Sequence, residues 1–153
     1  MTLPRSISLA LALAVGVVAI TATVARAAAP ASQYTYTATS TTVLDNKTKL
    51  TWQRAVAPSF YDWPSAKSYC AGLNLGGTGW RLPTRNELVT IVDPSQTTSA
   101  VDPVAFPATP AAGFWTATPV AATPGNAWIL TFNSFVSSFS TPTGNTNNVR
   151  CVR

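Results

Sequence analysis

The side chains that carry out acid–base or covalent chemistry are few in this sequence. It has no histidine, two cysteines (Cys70 and Cys151) and five carboxylates. The absence of histidine excludes Ser-His-Asp and Cys-His nucleophile systems and every zinc site that uses histidine. Two cysteines alone cannot form a four-cysteine zinc site. The sequence therefore predicts a protein that is not an enzyme and has neither a metal site nor a cofactor.

The five carboxylates occupy positions that turns and helix starts explain. Asp45 lies in a predicted turn, Asp62 and Glu87 lie at predicted helix starts, and Asp93 and Asp102 each precede a proline. A glycosidase needs two facing carboxylates, and a calcium site needs several oxygen ligands. The sequence indicates neither arrangement. Weak cation binding by Asp93 and Asp102 stays open, although turns explain both residues better.

The first 27 residues have the three parts of a secretory signal peptide. Arg5 gives a basic start, residues 7–24 are apolar and uncharged, and Ala25-Arg26-Ala27 fits a cleavage site. We predict cleavage after Ala27, a linker over residues 28–41 and one domain over residues 42–153. A retained anchor is the alternative, because about 18 apolar residues reach the lower limit of a spanning helix. The expected location is periplasmic or extracellular, with membrane contact through export alone.

Export determines how the two cysteines are interpreted. Oxidising compartments favour a disulfide between Cys70 and Cys151, which would close most of the predicted domain. Two separate buried thiols are the alternative. The sequence predicts the disulfide on the ground of compartment.

The charge of the mature chain is mild. Without Arg5 and Arg26 the ten basic residues become eight, against five acids, so the net charge is +3. The lysines and arginines do not cluster along the chain, which argues against binding to nucleic acid. Weak, screened attraction to an anionic glycan or surface polymer stays open.

Two helices are predicted in the first half of the domain. Asp62 can cap the first, which carries an apolar stripe at i, i+3, i+4 and i+7: Ala66, Tyr69, Cys70 and Leu73. The second follows Pro83, where Thr84 and Glu87 have the spacing of a capping box. Its predicted apolar face consists of Leu88, Ile91 and Val92, and Asp93-Pro94 is expected to end it.

Strands are predicted on both sides of these helices. A hairpin turns at residues 45–49, between Val43-Leu44 and residues 50–54. After a proline-rich loop over 94–112, four more strands are predicted over residues 114–118, 128–132, 135–139 and 149–153. Strands, two helices, a long loop and strands again are typical of an α+β domain with antiparallel strands.

Several segments together resemble one family of exported bacterial domains. They are Asp45 to Arg54 (DNKTKLTWQR), Ala66 with Tyr69-Cys70, residues 79–84 (GWRLPT) with Glu87-Leu88, residues 114–116 (FWT) and residues 149–153 (VRCVR). This set is similar to the C-terminal domain of the Legionella collagen-like adhesin family, the Lcl C-terminal domain, over Thr42 to Arg153. The resemblance implies a C-type-lectin-like fold in which a cysteine of the first helix bonds to one near the chain end.

Eight residues of these segments and of the predicted strands are expected to have structural roles: Trp52, Trp80, Arg81, Pro83, Thr84, Glu87, Trp115 and Trp128. Tryptophans on strands are more often packing residues than ligand platforms. We therefore expect Trp80, Trp115 and Trp128 in the core. Arg81 is expected to form an ion pair or to bond to backbone carbonyls.

The resemblance implies a binding or adhesion module, because the namesake domain takes part in attachment to host glycans. The expected ligand face is formed by the loops around residues 118–126 and 133–148, which present hydroxyls and amides to a glycan or a surface protein. The candidate ligand residues are Asn133, Phe135, Asn145, Asn147 and Asn148. The alternative is a structural or assembly component of the cell envelope. A less favoured alternative is an enzyme like the formylglycine-generating relatives, and the sequence carries no signal for oligomeric state.

Overall fold

The computed structural model describes residues 32–37, 39–133 and 137–153. The predicted signal peptide and Phe135 lie outside the described residues. Among the residues described, no helix combines the length and the apolar character that crossing a membrane requires.

The described chain has two helices and two three-stranded antiparallel sheets, which confirms the predicted α+β class. The first sheet has the order β1-β2-β3 and the second the order β4-β5-β6. The elements are β1 (Tyr34–Thr35), β2 (Thr42–Asp45), β3 (Thr51–Gln53), α1 (Trp63–Ala71), α2 (Arg85–Val89), β4 (Gly113–Pro119), β5 (Asn126–Thr131) and β6 (Ser137–Pro142). Strand β1 lies inside residues 28–41, the predicted linker, where Tyr34 pairs with Asp45.

The predicted hairpin is present, and a buried carboxylate organises its turn. Asp45 accepts hydrogen bonds from the Lys47 backbone N–H at 2.9 Å and from the Thr48 hydroxyl at 2.8 Å. Lys49 has a φ of 64°, so the turn closes through one left-handed residue. This places Val43 opposite Trp52, and both side chains are fully buried.

The first helix begins as predicted. The Asp62 side chain accepts from the Ser65 backbone N–H at 2.8 Å, and the proline lies in the first turn. Ala66 and Cys70 are fully buried, whereas Tyr69 and Leu73 of the predicted stripe are half-buried. The helix therefore contacts the core along a narrow line centred on the cysteine.

The second helix has the predicted capping box but is shorter than expected. Thr84 and Glu87 bond reciprocally to each other's backbone N–H groups. The helix ends at Val89, because the Thr90 hydroxyl and N–H both donate to the Glu87 carbonyl, at 2.7 and 2.9 Å. Ile91 is buried beyond the helix end, so the prediction that the helix continues to Asp93 was wrong.

The chain end is extended but is not the regular strand predicted over residues 149–153. Val152 forms isolated antiparallel bridges to Trp52 and to Arg81. The Thr51 and Arg153 backbones exchange hydrogen bonds at 2.8 and 2.9 Å. The tail is thus inserted between β3 and the Arg81 segment, and the pairing on each side is too short to be a strand.

The tail separates two hydrophobic cores. Val152 packs in the first core, with Trp52, Phe106, Phe114 and Phe132. Val149 and Cys151, which alternate with it, pack in the second core. That core also contains Ala66, Cys70, Trp80, Leu82, Trp115 and Ile129. The predicted disulfide Cys70–Cys151 lies inside the second core, where both cysteines are fully buried.

Trp80, Trp115 and Trp128 were predicted to lie in the core, and the prediction is confirmed for two of them. Trp80 and Trp115 are buried, at 3% and 0% exposure. Trp128 is only half-buried, so its prediction as a core residue was wrong. Side chains alternate between the two faces of β5, and the neighbours of Trp128, Ala127 and Ile129, are the ones that are buried in the second core. The Arg85 guanidinium lies over the Trp128 ring, 5.3 Å from its centroid.

Arg81 forms the predicted ion pair. Its two terminal nitrogens bond to the two carboxylate oxygens of Glu87 at 2.8 and 2.7 Å, and one of them also reaches the Leu82 carbonyl. Glu87 accepts a further bond from the Thr84 N–H at 2.8 Å. The hydrogen bonds from Arg81, and secondarily those from Thr84, lower the pKa of Glu87 to about 2. The ion pair thus fastens the start of α2 to the segment beside the tail.

One cation is unexpectedly inside the first core. Arg150 is fully buried, with its guanidinium 4.6 Å from the Phe106 ring centroid and 5.9 Å from that of Phe114. Its Nη2 donates to the Thr109 hydroxyl at 2.8 Å, while Nε and Nη1 have no partner in the described part of the chain. Burial lowers the pKa of Arg150 to about 9, so the side chain is protonated at neutral pH.

Removing the disulfide should lower the free energy of unfolding by about 4 kcal/mol, because the cross-link closes a long loop and restricts the unfolded chain. The two cysteines are 81 residues apart in the sequence. Guanidinium denaturation of the wild type and of a Cys70→Ala/Cys151→Ala variant measures the loss. Reduced wild-type protein is the control that keeps both sulfur atoms. Equal stability of oxidised and reduced protein would contradict the expectation.

The Arg81–Glu87 pair should make stability depend on pH at the acid end. An acid with a lowered folded pKa stabilises the fold above its unfolded pKa, and this contribution disappears as the pH falls through the folded pKa. The window for Glu87 therefore runs from about 4.5 down to about 2. Wild-type protein should lose more stability there than Glu87→Gln, as measured by thermal unfolding at each pH. Arg81→Gln should flatten the same window, and parallel curves for all three proteins would refute the assignment.

Candidate functional site

The candidate site is an open groove of about 720 Å³ beside the second sheet. This volume is within the range of about 300–1,000 Å³ that ligand pockets occupy. Strands β4, β5 and β6 and the loop after β6 provide its lining: Gly113, Ile129, Thr131, Asn133, Thr141, Gly144, Asn145, Thr146 and Asn147. Hydroxyls and amides therefore predominate over apolar groups in the wall.

The sheet fixes one wall of the groove. Strand β5 is central, and Thr131 pairs with Gly113 of β4 on one side and with Ser137 of β6 on the other. Ile129 and Thr131 are two residues apart and therefore point to the same face of the strand. Asn133 follows at the same spacing, just beyond the strand end. The backbone behind Ile129 and Thr131 is held on both edges.

Backbone hydrogen bonds hold the loop that forms the other wall. Asn147 and Tyr61 exchange N–H···O bonds at 3.0 and 3.1 Å, and the Thr143 N–H bonds to the Gly125 carbonyl at 2.8 Å. Within the loop, the Asn145 side chain donates to the Thr141 hydroxyl at 2.9 Å. The amides are thus presented from a loop whose two ends are fixed.

The structure brings together three of the five predicted ligand residues. Asn133, Asn145 and Asn147 all line the groove. Asn148 does not, because its side chain is buried and donates to the Gly113 carbonyl at 3.0 Å. Phe135 lies outside the described residues. A ligand role for any of them stays a prediction.

Three groove residues lie outside the predicted ligand face: Gly113, Ile129 and Thr131. Thr131 follows the period-two alternation of its strand, so this signal could have identified it. A side chain at Gly113 would place its Cβ 2.8 Å from Ile129 Cδ1 and 3.1 Å from Asn147 Oδ1. Glycine therefore allows the loop to approach the sheet, a requirement that no local pattern reveals.

Two oxygen atoms that belong to groove residues, Thr131 Oγ1 and Asn133 Oδ1, are buried and have no hydrogen-bond partner in the described residues. Thr131 as a whole is only 9% exposed. Most buried polar groups in proteins have a partner, so each exception needs an explanation such as a bound molecule. No charged residue belongs to the described lining of the groove.

The described residues offer little for catalysis. Within them, no group of three Cys, Asp or Glu side chains is placed to hold a metal ion. Both cysteines are in the disulfide, so neither thiol is free for chemistry like that of the formylglycine-generating enzymes. Asp93 and Asp102, considered above for weak cation binding, instead accept bonds from Ser95 and from the Val104 and Ala105 N–H groups.

Comparison with known proteins identifies one family. The model of the Lcl C-terminal domain matches residues 41–153, a range that contains both cysteines and every groove residue named above. No curated protein matches the chain. The match confirms the resemblance noted from the sequence, while the relation to C-type lectins stays a prediction. With nearly three quarters of its length matched, this chain belongs to the Lcl C-terminal domain family, a family of adhesin-associated modules.

Proposed function

We propose that this protein is an exported, non-catalytic binding module that recognises a glycan outside the cytoplasmic membrane. The observation that carries the proposal is the groove of about 720 Å³ with its wall of threonine hydroxyls and asparagine amides. Such groups bind hydroxylated ligands by hydrogen bonds, whereas the apolar floor of Ile129 and Gly113 can contact a sugar ring. Membership of an adhesin-associated family supports the same function.

The disulfide supports the proposed location. A cross-link such as Cys70–Cys151 persists in the periplasm or outside the cell, where the compartment is oxidising. The signal peptide predicted over residues 1–27 is consistent with this route. The location we propose is therefore periplasmic or extracellular.

The alternative function, a structural component of the envelope, is favoured less by the groove. An assembly surface is expected to bury apolar side chains, because the fully buried centres of protein interfaces are more apolar than the rest of the surface. The groove instead has a polar wall. Pull-down from an envelope extract would favour the alternative if it recovered a single stoichiometric protein whose binding free oligosaccharides do not inhibit.

The test of the proposal is binding of purified mature protein to an array of bacterial and host oligosaccharides, followed by calorimetry on each hit. Retention of at least one saccharide with saturable binding supports the proposal. Binding to no saccharide, together with capture of an envelope protein, would overturn it.

A specific prediction concerns Gly113, where the sheet and the loop approach each other. Gly113→Ala should weaken saccharide binding by about tenfold or more, because the added methyl group displaces Ile129 or Asn147 from the wall. The matched control is Gly72→Ala, where the new Cβ meets only ordinary contacts, the nearest at 3.4 Å. Calorimetry measures the affinities, and circular dichroism verifies that both variants are folded. Equal affinity of the two variants would show that the ligand binds elsewhere.

A further inference from the structure

We infer that strand β6 pairs edge to edge with β6 of a second copy of this chain, so that the protein forms a dimer with a two-fold axis. The inference concerns assembly and does not depend on the proposed ligand. Its basis is that the outer edge of β6, a strand of six residues, has no strand partner in the described part of the chain.

The fold covers or shortens the other three edges of its two sheets. The outer side of β4 bonds to the Asn148 backbone and to the Pro83 carbonyl. The outer side of β3 bonds to the carbonyls of Arg153 and Cys151. The remaining edge strand, β1, is only two residues long. Proteins commonly cover or shorten their sheet edges to prevent pairing with other chains, and β6 has neither protection in the described residues.

The register of β6 identifies the backbone groups that face outward. The Thr143 N–H bonds to the Gly125 carbonyl at 2.8 Å, which continues the β5–β6 register by one position. Hydrogen-bonded pairs alternate along antiparallel strands, so every second residue of β6 bonds to β5. These residues are Ser137, Phe139 and Thr141. The backbone N–H and C=O groups of Ser138 and Ser140 therefore point away from the sheet.

Two copies of this edge are complementary when they run antiparallel. If Ser138 of one copy lies opposite Ser140 of the other, two equivalent pairs form and each exchanges both of its N–H···O bonds. Pro142 ends the pairing, because it has no N–H and its carbonyl accepts from the Asn145 N–H at 3.0 Å. This register therefore uses every outward N–H group of β6.

The distribution of charge favours a second copy as the partner. Residues 103–149, which include the whole second sheet, contain no charged side chain. A two-fold interface brings the same segment together from both sides, so any charge near the axis would face a like charge. The β6 edge avoids this repulsion. The pairing also closes at two copies, because it uses both β6 edges and the β4 edges are covered.

The two-fold register predicts a cross-link at position 139, which lies on the axis. Phe139→Cys should form an intermolecular disulfide, because the Cα atoms of a non-hydrogen-bonded pair are about 4.5 Å apart. The matched control is Ser138→Cys, whose two copies lie diagonally at about 7–8 Å, too far for a disulfide. The native cysteines do not compete, since they are bonded to each other. Non-reducing electrophoresis of oxidised protein measures the cross-linked fraction.

The experiment that tests assembly directly is sedimentation equilibrium of the mature protein over a range of concentrations. One strand pair is a small interface, so we expect reversible dimers in the micromolar range. Ser140→Lys should weaken the dimer by about tenfold or more, because it places like charges on both sides of the axis. Thr35→Lys adds the same charge to the edge strand of the other sheet and should leave the dimer unchanged. Circular dichroism verifies that both variants are folded.

A wild-type protein that stays monomeric up to millimolar concentration would overturn the inference. A trimer or a larger assembly would also overturn it, because edge pairing about a two-fold axis closes with two copies. If Ser140→Lys dimerises as tightly as Thr35→Lys, or if both cysteine variants cross-link equally, the copies associate through another surface and the inference fails. The proposed function would stand in each of these cases, because saccharide binding is measured separately.

Discussion

The anchored tail is the constraint on which the rest of the structure depends. Residues 149–153 lie between β3 and the Arg81 segment, and the disulfide ties them to α1. Because an extended chain alternates its side chains, Val152 enters one core while Cys151 enters the other. The two cores therefore share one wall, and neither can form completely until the last residues of the chain are in place. The residue before the tail is also attached to the groove, since the Asn148 N–H bonds to the Gly113 carbonyl.

The anchored tail also buries a charged side chain, Arg150, which lowers the stability of the fold. The alternation that directs Val152 inward also directs Arg150 into the first core, where its exposure is zero. The ion pair found in the described residues joins Arg81 to Glu87, so Arg150 depends on the faces of Phe106 and Phe114 and on the Thr109 hydroxyl. A cation over an aromatic face is stabilised most when water is excluded. Removing a guanidinium from water still costs several kcal/mol, so the remaining packing of the core has to offset it.

Local signals in the sequence predicted the helices, strands and turns well. The predictions failed where tertiary contacts determine the structure. The Asp62 cap, the Asp45 turn and the Thr84–Glu87 capping box each involve atoms only a few residues apart, so their patterns were sufficient. The irregular tail and the exposure of Trp128 depend on neighbours far along the chain. The same distinction between local signals and tertiary contacts applies to the residues of the groove. Asparagine composition indicated three of its residues and strand alternation could have indicated Thr131, whereas Gly113 acquires its role only when the loop packs on the sheet.

The groove and the cores differ in polarity, but the groove adjoins the second core, because Ile129 packs in that core and also lines the groove. Some polar groups of the cores are matched, as in the Gln53 side chain, which bonds to both the Tyr69 hydroxyl and the Cys151 N–H. Nε and Nη1 of Arg150 and Nε1 of Trp52 have no partner in the described residues. The central strand β5 connects the first core to the groove, because Leu130 packs in that core while Thr131 lines the groove. A strand paired on both edges keeps its backbone in register, so the positions of its side chains relative to the loop are fixed. The rigidity created by the tail and the sheet therefore holds the two walls of the groove in place.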